Sequence, residues 1–256
     1  MQFHSMEGYT RVFNRAIDVF GKTADTNALF DTFRSNHEVY GFIDNGDRPP
    51  DEEAIAIAKS INPDLYEKYL GKNEGRAIFG YGGNSPKFMY SNLDSRHIMM
   101  SVHLKQYLPK VNSIVEIGGG FGNWLRLNTG ILEFTDWTII DLKHLNLLQK
   151  WALAKDSLSC TLVDSESYKE WARTSTVDLV IGTHSMSEFS LPVFADYFYN
   201  VVMKSKYFYY AYHNSLPSPE LIKIKRELIE MNFYPIHSMI SEGGNVTNCL
   251  YGKKVA

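Results

Sequence analysis

The chain turns on Val115-Glu116-Ile117-Gly118-Gly119-Gly120-Phe121-Gly122-Asn123, an apolar run that closes on an acidic residue and then breaks into glycines at 118, 120 and 122. A strand covered on both faces reads as a near-continuous apolar run, here Ile114 to Ile117. The turn after it needs residues that tolerate positive φ and let a ligand approach the backbone, and glycine does both. The stretch predicts a buried strand, a ligand-binding turn and the start of a helix around Trp124 to Leu132.

Spacing separates two ligand classes. A dinucleotide fingerprint, G-x-G-x-x-G, requires glycine at position 123, which is Asn123 here. Downstream, Trp137-Thr138-Ile139-Ile140-Asp141 reads as a second buried strand ending in a carboxylate. Asp141 follows Gly120 at roughly the 20-residue interval at which nucleotide-binding units place a ribose-binding acid. A carboxylate there can accept hydrogen bonds from both ribose hydroxyls. It can also cap the helix that follows.

From Ser113 onward, strands and helices alternate. Strands are expected at Ile114 to Ile117, Thr138 to Asp141, Thr161 to Val163, Asp178 to Gly182, Tyr207 to Tyr212, Ile236 to Ile240 and Thr247 to Tyr251. Helices are expected at Leu142 to Lys155, Glu166 to Arg173, Pro192 to Met203 and Pro219 to Met231. Such alternation implies a mostly parallel sheet covered on both faces. The last two strands, joined through Ser241-Glu242-Gly243-Gly244-Asn245, read as an antiparallel hairpin.

Residues 1 to 108 lack this rhythm and read as a mainly helical extension, with helical patches at Tyr9 to Phe20, Asp51 to Ile61 and Leu93 to Tyr107. Residues 109 to 256 form the second unit. The extension would cover the ligand edge and build an acceptor pocket, or serve as a dimerisation or structural element.

The E-x-G-x-G-x-G arrangement of Glu116, Gly118, Gly120 and Gly122 resembles motif I of class I S-adenosylmethionine (SAM) methyltransferases. Further blocks are Ile140-Asp141-Leu142 with Leu147-Leu148-Gln149, His184-Ser185-Met186-Ser187-Glu188, and the aromatic run Tyr207-Phe208-Tyr209-Tyr210. With them the chain resembles the sugar O-methyltransferase family over roughly residues 110 to 215. The resemblance implies a Rossmann-like α/β sheet, SAM as cofactor with S-adenosylhomocysteine (SAH) as product, and methyl transfer to a hydroxyl of a sugar or glycan, nucleotide-linked acceptors included. Cofactor binding is carried over to Glu116, Gly118, Gly119, Gly120, Gly122, Asp141, Leu142, Asp164, Ser165 and Thr183. The glycine turn would hold the methionine end of the cofactor. Aromatic residues of the extension, Tyr81, Phe88 and Tyr90, could stack on a sugar face, and Arg96 and His97 could contact the acceptor or form surface ion pairs.

In an open α/β sheet, ligands bind past the carboxyl ends of the strands. Asp164 and Ser165 lie past the third strand, where Asp164 could accept from an adenine amino group or cap the next helix. His184 lies past the fourth and is the first expectation for a general base, since an alkyl hydroxyl needs its proton removed as the new C–O bond forms. Glu188, four residues on, could orient the imidazole if the segment is helical, and His213 past the fifth strand is the alternative base. Asp141, Asp164 and Glu188 come from different strand ends, so no catalytic metal is expected.

The 256 residues, 44% apolar and 14% aromatic, fit one globular α/β domain with an extension. The two cysteines make no metal-ligand spacing and no disulfide framework. No apolar stretch approaches the ~18 residues of a membrane span, and Met1-Gln2-Phe3-His4-Ser5 has no signal pattern, so a soluble, cytoplasmic protein without a membrane partner is expected. A net charge of −3 counts against a nucleic-acid partner, while homo-oligomerisation is left open. Three alternatives compete: a methyltransferase acting on a small metabolite, protein or RNA cap, a catalytically silent SAM-fold interaction module, and a nucleotide-dependent oxidoreductase, which Asn123 disfavours.

Overall fold

The computed structural model describes residues 50–70, 92–216 and 218–254. Its first helices are α1 (Glu52–Ile61), α2 (Pro63–Leu70) and α3 (Asn92–Tyr107). Asp51 caps α1 by accepting the Ala54 N–H at 3.1 Å, and Glu52 and Glu53 in the first turn suit the helix dipole. The α2 helix has no counterpart among the sequence-predicted elements. Its start falls on Pro63, which a first turn tolerates, and Asn62 caps it by accepting the Leu65 N–H at 3.1 Å.

The alternating part runs β1 (Ser113–Ile117), α4 (Asn123–Asn128), β2 (Asp136–Asp141), α5 (Lys143–Lys155), β3 (Thr161–Asp164), α6 (Tyr168–Thr174) and β4 (Val177–Thr183). It continues with α7 (Ser185–Glu188), α8 (Leu191–Asn200), β5 (Ser205–His213), α9 (Pro219–Asn232), β6 (Phe233–Ser241) and β7 (Val246–Lys253). The seven strands form one sheet in the order β3-β2-β1-β4-β5-β7-β6. Pairing is parallel from β3 to β5 and antiparallel from β5 through β7 to β6. The expected mostly parallel sheet with a C-terminal antiparallel hairpin is therefore present. Strand order reverses between β1 and β4, the switch point at which such sheets open a crevice.

Side chains alternate across the sheet with period two, and both faces are covered. On β5, Tyr209 and Ala211 join one core, while Phe208, Tyr210 and Tyr212 join the other. The first core also takes in Ile98, Met99, Val102 and Leu104 of α3, so one apolar cluster crosses the boundary that the sequence suggests at residue 108. A buried polar tie fastens α3 to the sheet, with His103 Nδ1 3.2 Å from Tyr209 Oη and Nε2 2.9 Å from His237 Nδ1. The expected patch at Tyr9 to Phe20 and the aromatics Tyr81, Phe88 and Tyr90 lie outside the described residues.

Two helices are shorter than the sequence suggests. The helix expected to reach Leu132 ends at Asn128, and the chain turns through Gly130, where a Cβ would sit 1.6 Å from Tyr69 Oη. The helix expected to reach Met203 ends at Asn200, and a tight 3₁₀ turn, Val202–Lys204, leads into β5. No helix among the described residues is long and apolar enough to cross a membrane.

Candidate active site

Beyond the carboxyl ends of β1, β2, β3 and β4 lies a cleft of about 740 Å³, within the range of small-molecule sites. Its floor is the glycine turn. Gly118, Gly120 and Gly122 have φ of +76°, +56° and +83°, values that side chains disfavour. Contact excludes side chains as well: a Cβ on Gly118 would lie 2.5 Å from Ser185 Cβ, and one on Gly119 2.6 Å from Ile139 Cγ2. The turn thus packs down onto the sheet and against α7, leaving its upper surface as cleft wall.

Two buried carboxyls underlie it. Glu116 accepts from Trp137 Nε1 at 3.2 Å, and its pKa is pushed up to about 8, chiefly by loss of water and further by the charge of Asp141. Asp141 is pushed up to about 7 by burial, against the favourable pull of several donors. Leu142 N–H and Gln149 Nε2 each donate to it at 2.8 Å, and the Gly119 and Gly120 N–H groups face it. Gln149 Nε2 also reaches Gly120 O at 3.0 Å, so this side chain bridges acid and turn. Gln149 was not among the cofactor residues expected from sequence, although it closes the Leu147-Leu148-Gln149 block that carries the resemblance. Leu142 and Thr183 line the cleft as expected.

Past β3, Ser165 lines the cleft, whereas Asp164 is not in the lining. The carboxylate of Asp164 accepts the Glu166 N–H at 2.9 Å in a local turn, and α6 starts only at Tyr168 with Ser167 at its N-cap position, so Asp164 does not cap that helix. The aromatic wall here comes from residues the sequence did not single out. Tyr168 and Tyr197 stack with centroids 4.2 Å apart, Phe189 packs on Tyr197, and Tyr168 Oη donates to Asp196 at 2.6 Å. Their signal is only tertiary, since α6 and α8 are far apart in the chain.

Past β4, His184 occupies a strained backbone conformation with φ 48° and ψ −55°. Such a conformation persists only where the surroundings enforce it. The enforcing contacts are its N–H donating to Ala211 O at 3.0 Å and Ser187 Oγ donating to His184 O at 2.6 Å. The imidazole reaches the cleft, but its Nδ1 is buried without a hydrogen-bond partner among the described residues. Burial first, then His213, Arg96 and His97, drive its pKa down to about 3, so the resting ring is neutral. The His213 ring stands behind it, centroids 5.1 Å apart and outside the cleft lining. Burial lowers the pKa of His213 too, with Glu242 opposing and Arg96 adding to the shift.

The helix after β4 begins only at Ser185, so His184, at positive φ, stands before it rather than on a face shared with Glu188; Glu188 lines the cleft. Its charge acts on Lys225 of α9. Lys225 is fully buried, and its Nζ donates to the carbonyls of Met186 at 3.2 Å, Ser187 at 2.7 Å and Phe189 at 2.6 Å. A short helix leaves its last carbonyls without intrahelical partners, and this lysine supplies them from another element. Desolvation lowers its pKa to about 8. In sequence, Lys225 sits in the basic run Lys223-Ile224-Lys225-Arg226, which reads as the solvated face of a helix, so its role is invisible there.

The near wall belongs to α3, where Leu93 and His97 line the cleft. Arg96, one residue earlier, faces away into ion pairs with Asp51 at 3.2 Å and Glu242 at 3.0 Å, joining α1 and the hairpin turn to α3. Among the described residues no cluster of histidine, cysteine and carboxylate side chains is arranged to hold a metal.

The sheet order, the glycine turn on β1 and the acid ending β2 define the Rossmann-like fold of class I methyltransferases. The N-methyltransferase NodS from Bradyrhizobium japonicum WM9, solved in complex with SAH, aligns at a TM-score of 0.52 and 9% identity, covering 76% of this chain and 99% of NodS. The PH0226 protein from Pyrococcus horikoshii OT3 aligns at a TM-score of 0.50 and 14% identity, over 64% of this chain and 92% of that one. No family model matches the sequence, and no curated protein is significantly similar to it.

Proposed function

We propose that the chain is a SAM-dependent O-methyltransferase acting on a hydroxyl of a sugar or glycan. One observation carries the cofactor half: the glycine turn, where no Cβ fits at Gly118 or Gly119, lies over two buried carboxyls, Glu116 and Asp141, whose charged forms are disfavoured by burial despite their hydrogen-bond donors. A cationic nucleoside fits that combination. The turn offers close approach, the carboxyls gain a counter-charge, and the Tyr168, Tyr197 and Phe189 wall suits a flat purine. Asp141 would turn toward the ribose, and Glu116 would balance the positive amino-acid end. SAM supplies a methyl group activated by its sulfonium.

The remaining work falls to positioning and deprotonation. His184, at the β4 end of the cleft, is the base in this reading. Its resting basicity is low, yet it takes the hydroxyl proton as the neighbouring positive charge is discharged by methyl transfer, so the imidazolium forms against diminishing repulsion. His213 would support the ring from behind. The sugar assignment rests on the sequence resemblance of the His184 to Glu188 block and on hydroxyl and amide side chains in the lining, Asn123, Thr183, Ser185 and Ser190, which suit hydroxyls. The test is incubation with methyl-labelled SAM and a panel of nucleotide sugars and free glycans. Label recovered in a methyl ether of a sugar supports the reading. Label entering only nitrogen acceptors, proteins or RNA would refute the sugar half and leave the cofactor half standing.

A further inference from the structure

The glycine N–H groups of the turn that would receive the amino-acid end of the cofactor are already engaged. Gly118 N–H donates to Ile140 O at 2.9 Å and Gly122 N–H to Gly119 O at 2.8 Å, while those of Gly119 and Gly120 face Asp141. A carboxylate leaving water needs donors from elsewhere, because burying it uncompensated is costly.

The wall opposite supplies one. Asn123 Nδ2 lies 2.8 Å from Asp94 Oδ1, and an ionised carboxylate only accepts, so this contact fixes which end of the amide is nitrogen. The same Nδ2 lies 3.2 Å from His97 Nδ1. Because Nδ2 donates, Nδ1 must accept, and the neutral imidazole then carries its proton on Nε2. The ring is held nearly parallel to Trp124, centroids 5.7 Å apart at 23°, and it lines the cleft beside the glycine turn.

We propose that Asp94 and Asn123 set His97 as an Nε2–H donor for the carboxylate of the cofactor's amino-acid end, an assignment that rests on the SAM reading above. His97 touches the ligand; Asn123 and Asp94 are positioning residues. The assignment also gives a reason for a side chain at position 123. A dinucleotide turn needs glycine there to bring helix and strand together, whereas here an amide reaches across to α3.

The experiment compares two ligands in calorimetric titrations: SAH, and 5′-methylthioadenosine, which keeps adenine, ribose and sulfur but lacks the amino-acid end. His97→Phe preserves an aromatic face against Trp124 and removes the donor. It is expected to weaken SAH by roughly tenfold or more, the scale of one hydrogen bond to a charged group, while leaving methylthioadenosine unchanged. His97→Gln, whose amide nitrogen can occupy the Nε2 position, should recover most of the loss. Equal weakening of both ligands would make His97 merely structural, and unchanged SAH affinity would also overturn the assignment. A wild-type protein that binds neither nucleoside would remove the SAM reading itself and this assignment with it. Imidazole ¹⁵N shifts of the ligand-free protein test the positioning step directly. The expected spectrum has Nδ1 bare and Nε2 protonated, with the preference lost in Asn123→Leu; the opposite tautomer in the wild type contradicts the proposal.

Discussion

Glu116→Gln changes one atom type in the floor of the cleft and should stabilise the ligand-free protein in alkaline solution. The glutamate is held at a pKa of about 8 against an ordinary value of 4.5. Between those values the folded state keeps a proton that the unfolded state has lost, so stability falls as pH rises, by ~1.4 kcal/mol per unit for one such group. Over the roughly three units from pH 5 to pH 8 the loss is on the order of 4 kcal/mol as an upper bound, since relaxation and water entry reduce it. Glutamine cannot ionise and can still accept from Trp137 Nε1. The variant should therefore match wild type near pH 5 and exceed it by about 1–4 kcal/mol at pH 8. Urea unfolding at both pH values, with the m-value checked for constancy, measures this. Asp141, raised to about 7, adds a second slope of the same sign that the variant retains. Wild-type stability that is flat or rising from pH 5 to 8, or a variant less stable than wild type at pH 8, refutes the account of the floor. With SAM bound, the same logic reverses: a cation over Glu116 lowers its pKa, so binding should release protons near neutral pH, and the variant should bind SAM more weakly.

Three further expectations concern the walls. His184→Ala should leave SAH affinity nearly unchanged and lower turnover by ~10²-fold or more, as loss of a general base does; an unchanged rate would pass the role to His213 or to solvent. Lys225→Met strips the partner from three carbonyls and should cost about 2–4 kcal/mol of stability while raising amide exchange over residues 184–190. Exchange raised uniformly across the chain would show that the lysine does not act locally. Gly118→Ala must place a methyl 2.5 Å from Ser185 Cβ at a φ of +76°, so weaker SAH binding and about 1–3 kcal/mol of destabilisation are expected. Full tolerance, read by calorimetry and melting, would mean that the turn is not packed as described.

The sequence made the sheet legible because its strands are short apolar runs with acids or glycines at their ends, and each lands within a few residues of its expected bounds. The same logic placed Glu116, Gly118, Gly119, Gly120, Asp141, Ser165, Thr183 and His184 at one cleft, since all lie at strand ends on one edge of the sheet, whereas Gly122 packs toward Leu153 outside the lining. It could not decide Asp164, whose two readings differ only in side-chain direction; the carboxylate turns back to its own backbone. What stayed hidden came from helices that periodicity places but does not orient. Lys225 reads as one more exposed cation until α9 packs against α7, and Tyr168 with Tyr197 become a wall only when α6 and α8 meet. Asn123 was legible as a departure from the dinucleotide pattern, but its purpose needed α3 alongside the turn.

The most direct test of the central claim is calorimetric titration of the protein with SAM, SAH and NAD side by side. Binding of both sulfur nucleosides at micromolar concentration with no response to NAD is the expected result. Binding of NAD with silence from SAM and SAH would contradict the account, because it would mean that a turn with Asn123 in place of the third glycine serves a dinucleotide after all.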